Sequence, residues 1–557
     1  MAITNTRWIP CLAALALGWL LPFPAEAQAP ERPNILLIMA EDLSPRIGAY
    51  GDPVARTPNI DRLAREGLLF ERAFTSAGVC APSRAGIIMG VHADSWGAGH
   101  MRVGRGGYAA VPPPEMKAFP ELLRAAGYTT LNSRKTDYQM ETGLAGTFGG
   151  PFTIWDESGV DDWGDHGADK PFFAYLTLEG THESQVWPTW SLPRSFLQLV
   201  MLPMRVANHS TWIHETDPSS VQVPPYYPDT RTVREDMARH YNNIEAMDAE
   251  VGKLLAKLEE DGLADRTIVI WTTDHGDGLP RAKRWPYDSG IRIPMIVRWP
   301  GVTEPGSVNA ELVSGVDFAP TFLQAAGAPI PEYVQGRVFL GPGKQPEPEW
   351  IYAARDRIDE HLDRVRAVRD RRYKYVRHLI PDQPYVLPIA FRNTMPMMQE
   401  MNGLAESGAL TGTPALWFRE TRDAEELFDT DVDPHEVHNL VGEPAFAERV
   451  ARMRAALDQW LASSGDLGLL PEEEIAERFW PGGVQPTTAV PTISLHDGQV
   501  HLTSASQGAS IGFSLNDGAW QLYTAPFEAP AGTEITTKAI RYGWTESDEV
   551  VSSIPKD

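Results

Sequence analysis

Asn34-Ile35-Leu36-Leu37-Ile38-Met39-Ala40 is an apolar run after its first residue and stops at Glu41-Asp42. A short unbroken run of this kind predicts a strand buried on both faces, as in a parallel sheet covered by helices on each side. Phe172-Phe173-Ala174-Tyr175-Leu176-Thr177-Leu178 repeats the pattern and ends near His182, and Thr267-Ile268-Val269-Ile270-Trp271-Thr272-Thr273 ends at Asp274-His275. Between them, Met237, Tyr241, Ile244, Met247, Val251, Leu254 and Leu258 recur at helical spacing. Strands alternating with helices predict an α/β fold with a mostly parallel sheet flanked by helices and joined by right-handed crossovers. Ligands in such sheets collect beyond the carboxyl ends of the strands. Three strand ends here deliver polar, metal-competent residues to that edge.

The rest of the 557-residue chain is organised around this core. Forty-nine Lys and Arg against 74 Asp and Glu give a net charge of −25, which argues against broad nucleic-acid binding. Arg7, the apolar stretch Trp8–Phe23 and Ala25-Glu26-Ala27 read as a signal peptide over residues 1–27, so the protein is expected to be exported, periplasmic or extracellular. No later stretch is long and apolar enough for a transmembrane segment. Cleavage removes Cys11 and leaves Cys80 alone. Residues 28–348 are expected to form the catalytic domain and 349–480 a smaller C-terminal α+β subdomain. That subdomain ends in a helix with Phe446, Val450, Met453, Leu457 and Trp460 on its apolar face. Residues 481–491, rich in Pro, Gly and Thr, read as a linker. Short alternating runs over 492–557, split by Asp-Gly turns, predict a terminal β-sandwich module.

Cys80-Ala81-Pro82-Ser83-Arg84 places a thiol, a turn-forming proline, a hydroxyl and a fixed cation together before the apolar helix start Ala85-Gly86-Ile87-Ile88-Met89. A helix N-terminus and a guanidinium both favour anions there. An isolated cysteine is by default a small buried hydrophobe; the surrounding sequence changes that reading. The segment resembles the motif at which type I sulfatases have their cysteine oxidised to formylglycine. The resemblance covers most of residues 32–462 and includes Arg32-Pro33-Asn34-Ile35, Thr57-Pro58-Asn59-Ile60-Asp61-Arg62-Leu63-Ala64, Gly127-Tyr128-Thr129-Thr130, Thr273-Asp274-His275-Gly276, Gly290-Ile291-Arg292-Ile293-Pro294 and Glu426-Leu427-Phe428-Asp429. Within the family, the early blocks and Ala424–Trp460 look most like the heparan N-sulfatase (sulfamidase) branch and its bacterial relatives.

The resemblance implies an alkaline-phosphatase-like fold, a divalent metal (Ca2+, with Mg2+ or Mn2+ as alternatives) and a 3-oxoalanine (formylglycine) at Cys80. It implies metal ligation by Glu41, Asp42, Cys80, Asp274 and His275. It implies catalytic roles for Cys80, Arg84, Lys135, His182 and Lys283. His100 and His275 are expected substrate contacts. The chain departs from the family in Glu41, where Asp is common, and in His275, where Asn supplies an oxygen. It departs again in Asp137, where a His is usual, and in Glu179-Gly180-Thr181 before His182. A nitrogen at 275 suits hard Ca2+ less well than oxygen, so His275 is open to either metal or substrate.

As the resemblance implies, the hydrated aldehyde attacks sulfur, cations neutralise the sulfate oxygens, His182 or Lys283 protonates the leaving group, and collapse to the aldehyde expels sulfate. The expected partners are a sulfated saccharide and a formylglycine-generating enzyme. Two other functions stay open: a formylglycine-dependent phosphonate monoester hydrolase or phosphodiesterase, and a noncatalytic glycan-binding relative. A cationic pocket of Arg84, Lys135 and Lys283 in an acidic surface suits a single sulfate group and exo-type hydrolysis. The tail segments Gly508–Ser514, Leu522–Phe527 and Lys538–Ile540 resemble the fibronectin-III-like module of chitobiases, in which Trp520, Tyr523 and Trp544 are either sandwich core or sugar contacts.

Overall fold

The structure, a computed structural model, describes residues 32–141, 149–187 and 196–555 together with Met1. The expected signal peptide lies outside the described residues. β1 (Asn34–Ala40), β2 (Leu68–Phe74), β3 (Thr129–Asn132), β4 (Glu157–Ser158), β5 (Phe172–Leu178), β6 (Thr267–Thr273), β7 (Arg292–Arg298) and β8 (Ser307–Ser314) form one sheet in the order β4-β3-β5-β1-β6-β7-β2-β8. All neighbours are parallel except β7, which runs against both β6 and β2. The three apolar runs read from sequence are thus three adjacent central strands, with β1 between β5 and β6. Alternation along β1 sends Leu36, Ile38 and Ala40 into one core and Ile35, Leu37 and Met39 into another. The helix Arg231–Glu260 buries Met237, Tyr241, Ile244, Met247, Val251, Leu254 and Leu258 in the first of these cores. Each such side chain contributes about 1.5–3 kcal/mol on burial.

A second sheet is antiparallel, with β9 (Ile351–Arg355), β10 (Val365–Arg369), β11 (Tyr373–His378) and β12 (Glu425–Asp429) in the order β12-β11-β10-β9. The helix Ala447–Ser464 lays Val450, Met453, Leu457 and Trp460 on Ala354, Val368, Tyr375 and Leu427 of these strands. Beyond it, β13 (Thr492–His496), β14 (Gln499–Thr503), β15 (Ser510–Leu515), β16 (Gln521–Leu522), β17 (Phe527–Glu528), β18 (Glu534–Ile540) and β19 (Val550–Ser553) make two antiparallel sheets, β13-β14-β17 and β16-β15-β18-β19. They share a core of Val500, Leu502, Ile511, Phe513, Ile535 and Ala539.

This terminal unit is bolted to the large sheet's flank. Lys117 Nζ donates to Gly508 O at 2.7 Å and Ser510 Oγ at 2.6 Å, and the buried Glu121 accepts from Ser510 Oγ and from Tyr542 Oη at 2.6 Å. Tyr542 belongs to the second core of the large sheet. Trp520 is half-buried, packs on Phe152 of the large domain with ring centroids 5.7 Å apart and carries Lys538 Nζ over its ring, outside the apolar core of the sandwich. Residues 481–491 are a strap and not a free tether: Trp480 Nε1 donates to Gly543 O, Thr488 N to Thr545 O and Thr545 N to Pro486 O, at 2.9–3.1 Å. Composition alone reads such a segment as a linker because its hydrogen-bond partners lie more than fifty residues away.

The large and second sheets meet over a buried charge cluster. Arg366 on β10 is ion-paired with Asp356 at 2.8 Å and Asp466 at 2.6 Å, and Asp94 lies in the same field. Burial, followed by the Asp466 charge, pushes the Asp94 carboxyl up to about 8 against the pull of Arg366. Folded Asp94 therefore keeps its proton where the unfolded chain, with a carboxylate pKa of about 3.9, has lost it. Its contribution to stability is full below the unfolded value and is lost as pH rises through the folded one. Asp94→Asn should flatten the stability profile between about pH 4 and 8. The variant should gain on the wild type by more than about 1.4 kcal/mol by pH 8, one pKa unit's worth, as read by denaturant unfolding at each pH.

Candidate active site

Pairing of β1 with β6 sets Ala40 opposite Thr273, so the residues that follow each strand emerge side by side. Asp42 N donates to Asp274 Oδ1 at 3.1 Å, and Leu43 N to His275 O at 3.1 Å. Asp42 adopts a φ of 51°, which turns this amide toward its neighbour. Cys80 arrives from a third direction, as the first residue of the helix Cys80–Met89, all ten residues of which are buried. Close approach demands glycine just before it: a Cβ at Gly78 would lie 2.3 Å from Trp285 O. Ser83 fastens the helix to the sheet by donating to Asp274 O at 2.5 Å. Arg84 spends Nε and Nη2 on the carbonyls of Thr136 and Lys135, both at 2.9 Å, and stacks on Tyr175. These bonds hold the Lys135 loop, and Arg84 Nη1 is buried with no hydrogen bond among the described residues.

Asp42, Cys80, Asp274 and His275 each bring one ligand atom into a group whose members all lie within 4.8 Å of one another. His275 Nε2 stands 3.3 Å from Cys80 Sγ and 3.1 Å from Asp42 Oδ1. His275 Nδ1 donates to Gly276 O at 2.9 Å, which leaves Nε2 aimed at the cluster. Despite burial, the charges of Asp274 and Asp42 hold the His275 pKa well above the ordinary range. Asp274 Oδ2 is buried and makes no hydrogen bond among the described residues. Two buried carboxylates, one with an orphaned oxygen, beside an oriented imidazole fit a divalent cation. The structure thus groups four of the five expected ligands.

Glu41 is not in that group. Its carboxylate is ion-paired with Lys135 Nζ, within the field of Asp274 and Asp42. Burial pushes Glu41 up to about 7 although Lys135 pulls it down. Lys283 Nζ donates to Asp42 Oδ2 at 2.6 Å and lies 3.4 Å from Glu183 Oε1. His182 Nδ1 lies 2.9 Å from Ser184 Oγ and accepts from Ser184 N at 3.4 Å. Burial and then the Lys283 charge hold its pKa well below the usual value, while Asp42 opposes them. His100 is not brought to the cluster: it is buried, and its Nδ1 accepts from Arg357 N at 3.1 Å, beside Asp356 and Glu472.

Sequence reasoning missed the layer behind these groups. Glu183 N donates to Asp42 Oδ2 at 2.7 Å, and the Glu183 carboxylate takes a two-pronged bond from Arg284 at 2.7 and 2.9 Å. Asp277 exchanges bonds with Ser44, both 2.9 Å, tying the two strand-end loops together. Adjacency to His182, Lys283 and His275 is the one sequence signal these residues carry. A divalent cation at 100 times its dissociation constant stabilises the fold by about 2.7 kcal/mol. Chelation should lower the melting temperature of the wild type, readdition of a divalent cation should restore it, and Asp274→Ala should abolish both responses in a thermal-shift assay.

Comparison with known proteins places this geometry. A family model described as Sulfatase matches residues 33–328, and one described as N-sulphoglucosamine sulphohydrolase, C-terminal, matches residues 281–389. An ulvan-active sulfatase of Formosa agariphila is 38% identical over 94% of this chain and 92% of its own length. Human N-sulphoglucosamine sulphohydrolase is 27% identical over 81% of this chain and 94% of its own. Two solved structures share the fold at a TM-score of 0.54. One, in complex with D-glucosamine-2-N,6-O-disulfate, is 19% identical and covers 80% of this chain and 100% of its own; the other, the phosphonate monoester hydrolase of Agrobacterium radiobacter, is 18% identical over 79% and 97%. The mostly parallel sheet with its C-terminal antiparallel sheets is the alkaline-phosphatase-like architecture of these neighbours. With the family model spanning more than half of its residues, the chain belongs to the sulfatase family, a family of sulfuric ester hydrolases.

Proposed function

We propose that this protein is an exported sulfatase that removes sulfate from a sulfated carbohydrate, as an ester or a sulfamate, with a formylglycine made from Cys80 and a bound Ca2+. The observation that carries the reading is the juxtaposition of Cys80 with Asp42, Asp274 and His275, flanked by Lys283 and Lys135. Asp42, Asp274, His275 and residue 80 would hold the cation, with Glu41 near by; Mg2+ and Mn2+ are the alternatives for the same donor set. Such an ion acts as a Lewis acid on bound oxygen, and a hydrated aldehyde at position 80 supplies a hydroxyl nucleophile that a thiol does not.

The chain's own residues do the rest. Lys283 and Lys135, buried and each paired with a carboxylate, present fixed positive charge to the sulfate oxygens in a site from which water is largely excluded. Arg84 supports the Lys135 loop from behind. His182 accepts from Ser184 through Nδ1, so its Nε2 carries the proton in the neutral ring and can hydrogen-bond the leaving oxygen or nitrogen. Burial and then the Lys283 field keep this ring neutral, and an arriving sulfate opposes that field. Export is supported by the N-terminal sequence, and no described helix is long and apolar enough to cross a membrane. Maturation by a formylglycine-generating enzyme is supported by Cys80-Ala81-Pro82-Ser83-Arg84.

Mass spectrometry of the Cys80 peptide from the native host should show the aldehyde, and purified protein should prefer aryl sulfate to aryl phosphodiester. A free thiol alone, or a preference for phosphorus, overturns the reading. His182→Gln should slow a saccharide sulfate, with its poor leaving group, by about 10²–10⁴-fold. It should change turnover of nitrophenyl sulfate, whose leaving group needs no proton, far less.

A further inference from the structure

We propose that Arg102 is a substrate-recognition residue that binds a second anionic group, a carboxylate or a further sulfate, on the sugar that carries the scissile sulfate. The inference rests on the saccharide-sulfatase reading above and extends it to a residue that the family motifs do not include.

Arg102 stands where the chain passes over the start of the Cys80 helix. Met101, its neighbour, packs in one apolar cluster with Val79 and Ala81, the residues on either side of Cys80, and with Ile358, Leu387 and Ile389 from the second-sheet region. Met101 N donates to Arg357 O at 2.8 Å, which fixes the loop at this height. Arg102 itself holds a φ of 54°, and the residue it meets, Asp137, holds 53°. Both are left-handed conformations that non-glycine side chains rarely adopt and that cluster at functional sites. Arg102 Nε lies 3.4 Å from Asp137 Oδ1, while Asp137 Oδ2 lies 3.6 Å from Lys135 Nζ. Asp137 is fully buried and therefore joins an inner cation to an outer one.

These cations and Lys283 differ in depth. The Lys135 side chain is 4% exposed and that of Lys283 1%, whereas that of Arg102 is 20% exposed. The inner pair serves the group being cleaved, and Arg102 sits on the solvent side of it. Among the described residues Arg102 Nη1 and Nη2 make no hydrogen bond, so one edge of the guanidinium is held and the other fork is open. A largely desolvated guanidinium with an open fork is suited to two-pronged binding of a planar carboxylate or of a sulfate. Although burial opposes it, Asp137 and, further off, Asp359 hold the Arg102 guanidinium charged. The next cation along, Arg105, is already paired with Asp359 at 3.0 Å. Asp137 stands where the family resemblance has a histidine, and its partners here are Arg102 and Lys135.

The test uses the full-length, aldehyde-bearing enzyme and four substrates: nitrophenyl sulfate, a sugar with one sulfate and no other charge, the same sugar with a carboxylate, and the same sugar with a second sulfate. Arg102→Gln keeps a polar contact to Asp137 and removes the charge. It should raise KM at least tenfold for one or both dianionic sugars, leave their kcat within twofold, and leave both parameters for the other two substrates within twofold. Arg102→Lys should recover part of the lost affinity, and the sugar with the larger KM change identifies carboxylate or sulfate as the group bound. Equal loss of kcat on all four substrates, or unchanged KM on both dianionic sugars, overturns the inference while the function stands. Absence of sulfate hydrolysis by the unsubstituted enzyme removes the function reading and this inference with it.

Discussion

Two carboxylates, Asp42 and Asp274, are buried side by side because β1 and β6 are neighbours in register, and the rest of the site is arranged to make that tolerable. Charges removed from water must be paired. Asp42 Oδ2 takes Lys283 Nζ and Glu183 N, and Asp42 Oδ1 faces His275 Nε2 and the Cys80 thiol. Although burial alone would raise it, the charges of Lys283 and His275 keep the Asp42 carboxyl well below the ordinary range. Asp274 Oδ1 takes the amides of Asp42 and His275, and its other oxygen is left for a cation. On the proposed reading, Lys283, which balances Asp42, and Lys135, which balances Glu41, are the same groups that balance a sulfate, so the electrostatics of folding and of catalysis would coincide here.

The demand for pairing spreads outward through the second sheet. Glu183 is satisfied by Arg284, whose carbonyl accepts from Arg355 of β9, whose side chain in turn meets Asp363 at 2.8 Å. Arg357, on the loop after β9, gives its backbone to His100 and Met101 and its side chain to Glu472. The loops over Cys80 are thus held from the C-terminal region, and the region the sequence marks as a subdomain is part of the wall of the site. Lys117, Glu121 and Tyr542 do the same for the terminal sandwich at the opposite flank.

Sequence periodicity was enough for the three central strands and the long helix, whose apolar patterns are local and strong. It also placed Asp42, Asp274 and His275, because a strand that ends in the core must deliver its next residues to one edge. What it could not see depends on which way a side chain turns once the backbone is fixed. Glu41 and Asp42 are neighbours in sequence, yet one joins Lys135 and the other the cation group. His100 reads as a substrate contact in Gly99-His100-Met101-Arg102, but that loop buries its histidine against Arg357 and leaves Arg102 partly exposed. Neither the reversed direction of β7 nor the hydrogen bonds that fasten residues 481–491 leave any trace in local composition.

The helix that begins at Cys80 lies wholly inside the protein. Its first turn is closed in by Trp285 against Gly78 and by the loops from the C-terminal region. No other macromolecule can grip that segment once these pieces have assembled. Any enzymatic change to the Cys80 side chain is therefore confined to the interval between synthesis and collapse of the chain. On the proposed reading, a molecule that folds before Cys80 is converted keeps a thiol sealed where the aldehyde should stand.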